Sequence, residues 1–137
     1  MNNRYLYRAK RTDNGEWVEG CLLIIDDSEY RIATSCLQGD VKEVLNVCAY
    51  EVDQSTICQC TGLEDKNGNL IWENDIVEAW SQGRCAIGKI KHRIDGTWII
   101  YPAWQNGEMW YLLPNDHGIT TVEVIGNIFD NPELLEK

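Results

Sequence analysis

The side chains that could do chemistry here are six cysteines, two histidines and 22 carboxylates in 137 residues. Cys58 and Cys60 stand two apart, so on a strand their sulfurs would share a face. A zinc knuckle, however, takes its ligands as CxxC in a turn with a second such pair, and that second pair is missing. His92 and His117 are isolated and have no ligand-like spacing. Cys85 and His92 lie seven apart across an expected strand with no oxyanion loop nearby, so nucleophile and base are not paired. Asp26-Asp27 and Glu64-Asp65 sit in turn-forming segments, where a carboxylate ordinarily accepts backbone N–H bonds in solvent. The 11 glycines are dispersed and never form GxxxxGK or GxGxxG. These residues predict no catalytic group, no metal ligand and no cofactor, and the cysteines Cys21, Cys36, Cys48, Cys58, Cys60 and Cys85 are expected to stay reduced as small core hydrophobes. A small metal-dependent hydrolase using clustered carboxylates is the enzyme alternative.

Aromatic residues give a stronger signal. Trp80, Trp98, Tyr101, Trp104, Trp110 and Tyr111 crowd the C-terminal half, and six tryptophans exceed what a small β core readily absorbs. Rings of this kind anchor protein interfaces as often as they fill cores. Trp80, Trp98, Trp104, Trp110 and Tyr111 are the expected interaction residues, with Pro102 to Trp110 an exposed loop carrying a ring at each end. The charge of −10 opposes binding to a phosphate backbone, because that affinity comes from cations displacing counterions. The one basic cluster is Arg4, Arg8, Lys10 and Arg11 beside Tyr5 and Tyr7. It supports a nucleic-acid alternative, set against the plainer reading of a charged edge strand that deters edge-to-edge pairing.

The elements that must position these residues are strands. Turn chemistry recurs about every ten residues: Asp13-Asn14-Gly15, Asp26-Asp27-Ser28, Gln38-Gly39-Asp40, Lys66-Asn67-Gly68, Ser81-Gln82-Gly83, Asp95-Gly96, Asn106-Gly107 and Asp116-His117-Gly118. Between them lie segments rich in β-branched and aromatic residues, the pattern of a mainly antiparallel β protein. Asp40 to Cys48 also satisfies a helical period, but Val44, Cys48, Tyr50 and Val52 fit a period of two, and a strand from about Val44 is expected. Asn131-Pro132-Glu133 predicts one or two C-terminal helical turns. The polar stretch Asp53-Gln54-Ser55 marks a soft boundary between an N-terminal β region, 1–53, and a C-terminal region, 54–137. Five short strands in 76–128 suit a small closed barrel of the SH3-like kind. No apolar run approaches the ~18 residues of a spanning helix, and no signal-peptide core follows Met1, so a cytosolic protein without membrane contact is expected.

The most patterned stretch runs from Thr61-Gly62-Leu63-Glu64-Asp65 through Lys66-Asn67-Gly68-Asn69 to Leu70-Ile71-Trp72-Glu73-Asn74-Asp75-Ile76-Val77. With Val52-Asp53-Gln54-Ser55-Thr56-Ile57, the C-terminal Val124-Ile125-Gly126-Asn127-Ile128-Phe129-Asp130-Asn131-Pro132-Glu133-Leu134-Leu135 and the opening Tyr7-Arg8-Ala9-Lys10 with Asn14-Gly15-Glu16-Trp17-Val18-Glu19-Gly20, it resembles the YopX-like family of phage and prophage proteins. Trp72 and Asn74 stand where that family more often has Tyr and Gly, and Cys58 and Cys60 where it tends to have Gly and an aromatic residue. The resemblance implies an all-β chain with an SH3-like barrel, a homo-oligomer, and a setting in the cytoplasm of a bacterial host. It implies no established activity. The expected function is that of a non-enzymatic accessory protein acting through self-association and contacts with host or phage proteins.

Overall fold

A computed structural model describes residues 6–36, 46–81, 84–101 and 110–135. They form β1 (Tyr7–Lys10), β2 (Trp17–Asp26), β3 (Glu29–Cys36), β4 (Asn46–Val52), β5 (Cys58–Glu64), β6 (Leu70–Trp72), β7 (Asp75–Ser81), β8 (Arg84–His92), β9 (Trp98–Tyr101), β10 (Trp110–Tyr111) and β11 (Glu123–Asn127). Two short 3-10 turns, Gln54–Thr56 and Pro132–Leu135, complete the elements. The strands order β4-β3-β2-β1-β5-β6 in one sheet and β10-β9-β8-β7-β11 in the other, with paired strands antiparallel. The mainly β reading of the sequence holds. Among the described residues neither sheet closes, β10 and β11 lying at opposite edges, so the structure bears out the β architecture without confirming the closed SH3-like barrel expected from the sequence. The chain divides into two compact units, Asn3–Gln59 and Cys60–Lys137.

In the first unit the core is Ala9, Ile32 and Val52, ringed by Tyr7, Val18, Leu22, Tyr30 and Ile57. Strand β2 serves two partners in succession, pairing with β1 over Trp17–Gly20 and with β3 over Cys21–Asp26. The handover falls on Gly20, where an added Cβ would sit 2.2 Å from the Ala33 carbonyl oxygen. Only a residue without a side chain admits that approach. The polar stretch after β4 is a pinned corner. Asp53 caps the 3-10 turn by accepting from the Ser55 N–H (3.0 Å), and Thr56 Oγ1 accepts from the Lys10 N–H (2.8 Å). Cys48 is disulfide-bonded, which corrects the expectation of a fully reduced set, whereas Cys21, Cys58, Cys60 and Cys85 carry thiols. The proposed helical start at Asp40 lies outside the described residues.

The second unit gathers Ile71, Val77, Ala79, Ile90, Ile100, Leu112 and Val122 into one buried cluster drawn from β6 to β9 and the segments flanking β10 and β11. Its organiser is the patterned stretch. Asp65, fully buried, accepts from the N–H groups of Asn67 and Asn69 (both 2.9 Å) and of Val124 (3.1 Å), tying the β5–β6 turn to β11. Burial pushes this carboxyl up, but the bonds from Val124, Asn69 and Asn67 outweigh it and hold the group below the ordinary 3.8. Buried Asp75 accepts from the Trp72 N–H (2.8 Å), and the Thr61 hydroxyl donates to the Ile71 carbonyl (2.7 Å). Asn74 has φ +72°, the left-handed region, which explains why glycine suits that place and asparagine tolerates it. At the C-terminus the helical turn forms over Pro132–Leu135, but the Asn131 side chain accepts from the Asn127 N–H (3.3 Å).

Candidate functional site

Alternation decides which rings of the second unit are available. On β7, Val77 and Ala79 point into the core, so Trp80 points the other way and is 52% exposed. On β10 the pairing sets Trp110 opposite Ile100, packed against the core cluster, and Tyr111 opposite Ile99, where it is half exposed. Together Trp80, Trp110 and Tyr111 line a groove of about 380 Å³ whose remaining wall is Ala79, Ile100, Leu113 and Thr120–Val122. Among the described residues that line it, none is charged. The Tyr111 hydroxyl accepts from Arg93 Nη1 (2.9 Å), which fixes the ring at the rim. A large aromatic and aliphatic wall with a few hydroxyl and N–H groups is the composition of a binding surface.

Of the expected interaction residues, the structure thus brings together Trp80, Trp110 and Tyr111. Trp98 lies apart from them, stacked on His92 (ring centroids 4.4 Å apart, planes at 23°) and packed against the core cluster. Trp104 falls outside the described residues. Sequence reading missed Leu113 and Thr120–Val122, which line the groove with Trp80. Their only signal was an apolar residue on each side of a polar connection.

The basic cluster of the first unit takes a different form. Arg8 and Lys10 share one face of β1, with Ala9 turned into the core, and both lie over Trp17, at 4.6 and 5.4 Å from the ring centroid. Arg11 lies over Tyr50 at 4.0 Å and forms a two-pronged pair with Asp13 (3.0 and 2.6 Å). Arg8 also faces Glu19 across the ladder. These cations are engaged with rings and carboxylates of their own unit, which lowers their capacity to displace counterions from a phosphate backbone. Arg4 lies outside the described residues.

The groups weighed for catalysis are not assembled. Cys85 and His92, seven apart on β8, fall on opposite faces of the strand. Loss of water contact and the adjacent Glu78 carboxylate, which also hydrogen-bonds it, push the Cys85 thiol up, away from the thiolate a nucleophile needs. Asp26 is held below its ordinary range by the Ser28 N–H and hydroxyl, as befits a turn carboxylate. Among the described residues no group of three or more His, Cys, Asp or Glu could hold a metal ion, and no helix is long and apolar enough to cross a membrane.

Fold and groove together define an all-β protein of two antiparallel sheets with a groove lined by aromatic rings on the second unit. The chain belongs to the YopX protein family, whose model matches residues 6–136. Comparison with curated proteins returns no match.

Proposed function

We propose that this protein is a non-enzymatic accessory protein of a phage or prophage, working in the host cytoplasm through self-association and contacts with host or phage proteins. The observation that carries the reading is the groove of Trp80, Trp110 and Tyr111, whose described lining residues bear no charge and two of whose rings are about half exposed in a chain of net charge −10. Rings held at a concave rim bury much apolar area for little conformational entropy, which is why they dominate protein contacts. An SH3-like barrel in the second unit is the finer fold reading, supported by the single core cluster that its strands and connections surround.

The test is native mass combined with affinity capture from host lysate, run with and without nuclease, for the wild type and for Trp80→Ala/Tyr111→Ala. The reading expects an assembled wild type, nuclease-resistant partners and loss of both in the variant. Partners that vanish with nuclease and survive the variant, but are lost on reversing Arg8 and Arg11 to Glu, would transfer the function to the basic face. Unchanged mass and unchanged capture in the groove variant would overturn the reading.

A further inference from the structure

The β2–β3 hairpin of the first unit breaks the alternation that the rest of its strands obey. Leu22 turns to the core, and with period two Ile24 continues that face while Leu23 occupies the other, and the ladder then skips Ile25 before Asp26. All three are solvent-exposed, at 39% for Leu23, 64% for Ile24 and 54% for Ile25. A ribbon that carries aliphatic side chains on both faces is not stabilised by lying on a flat surface, which covers one face only. It is covered by insertion into a concavity. The end of this ribbon is acidic, Asp26-Asp27, with Asp26 folded back on Ser28.

The groove of the second unit has the matching properties. It is concave and lined mainly by aromatic and aliphatic residues with polar groups among them, and its volume of about 380 Å³ lies at the lower end of the ~300–1,000 Å³ typical of pockets, a size for a few side chains rather than a broad face. Its rim at Tyr111 carries Arg93, which also pairs with Asp95 (3.6 Å), and Lys91 lies in the same row of the sheet, facing Ile99, which in turn faces Tyr111, so two cations stand there against one carboxylate. Acidic tip and basic rim are complementary in charge, as the aliphatic tip and aromatic groove are in polarity.

We infer that the occupant of the groove is the β2–β3 hairpin tip of a second copy of this chain. The inference rests on the reading of the groove as a protein-contact surface and names its partner. Knob and groove are different surfaces, so the contact is head-to-tail. It propagates into a ring if the rotation closes and into a filament if it does not.

Head-to-tail contacts have a signature that two-fold contacts lack. Ile24→Thr/Ile25→Thr keeps β-branched residues in the strand while removing apolar surface, and Trp80→Ala/Tyr111→Ala empties the groove. Each variant alone is expected at the monomer mass of 15.7 kDa by sedimentation velocity, whereas the wild type sediments above twice that mass. An equimolar mixture is expected to form a dimer and no larger species, because each variant keeps one competent surface. Where the threonine variant fails to show the wild-type circular dichroism spectrum, Asp26→Lys/Asp27→Lys replaces it, with weakened assembly that is restored by Lys91→Glu/Arg93→Glu in the partner. A hairpin variant that assembles like the wild type overturns the inference while leaving the groove reading intact. A groove variant that assembles like the wild type overturns both, and a mixture that stays monomeric overturns the head-to-tail contact.

Discussion

The two units differ in what their charged groups hold in place. In the second, carboxylates lie inside: Asp65 and Asp75 are buried and each accepts backbone N–H bonds that hold a turn. In the first, the prominent cations lie against rings, Arg8 and Lys10 on Trp17 and Arg11 on Tyr50. A buried carboxylate with several donors fixes backbone geometry, and losing it leaves those donors unsatisfied. A cation over a ring at the surface fixes little. The stretch from Thr61 to Val77 is therefore scaffold, and the groove proposed as the contact surface lies on the unit that this scaffold organises.

The largest effect expected from breaking that contrast is Asp65→Ala, which strands the N–H groups of Asn67, Asn69 and Val124. A loss of about 3 kcal/mol or more is expected in urea denaturation, since each buried unsatisfied donor costs ~1–3 kcal/mol. Its pH counterpart follows from linkage. A carboxyl held below 3.8 in the fold contributes stability that is fully present above 3.8 and is lost as the pH falls through its lowered folded value. Denaturation midpoints across acid pH should thus fall less steeply in Asp65→Asn than in the wild type.

Next in size is Gly20→Ala, where the Cβ would meet the Ala33 carbonyl oxygen at 2.2 Å and the β2 handover must shift. Overpacking of this kind costs about 1–3 kcal/mol, read as a lowered thermal midpoint. The smallest effect belongs to the first unit's surface. Arg11→Ala removes the pair with the exposed Asp13 and the stacking on Tyr50 and should lower the thermal midpoint by a few degrees at most, as each interaction contributes about 1 kcal/mol or less. Asp13 then regains the ordinary carboxylate range, because the Arg11 hydrogen bond is the main cause of its lowered value.

How much of this was legible depended on whether a signal was local. The strands from β1 to β4 and β7 to β11 follow from turn residues and β-branched runs. Strand β5 was less visible, since Gly62 and the polar Gln59 and Thr61 interrupt its apolar pattern. Closure of a barrel cannot be read from strand count, because it depends on whether the edge strands find each other, and here β10 has only two residues. Asp65 looked like one more turn carboxylate in sequence. Its burial arises from Val124, 59 residues away. Trp80, Trp110 and Tyr111 were singled out by residue type, but that they share a groove while Trp98 does not line it required the register that stacks Trp98 on His92. The paired apolar faces of Leu23 to Ile25 read as an ordinary strand until exposure distinguished them.

The most direct test of the central claim, that scaffold and contact surface are separate, is to measure native mass and thermal midpoint together for Trp80→Ala/Tyr111→Ala. The account predicts a monomer whose midpoint stays close to that of the wild type at matched assembly state, because half-exposed rings contribute little to the fold. An assembled variant of wild-type mass, or a monomer whose midpoint has collapsed, would contradict it.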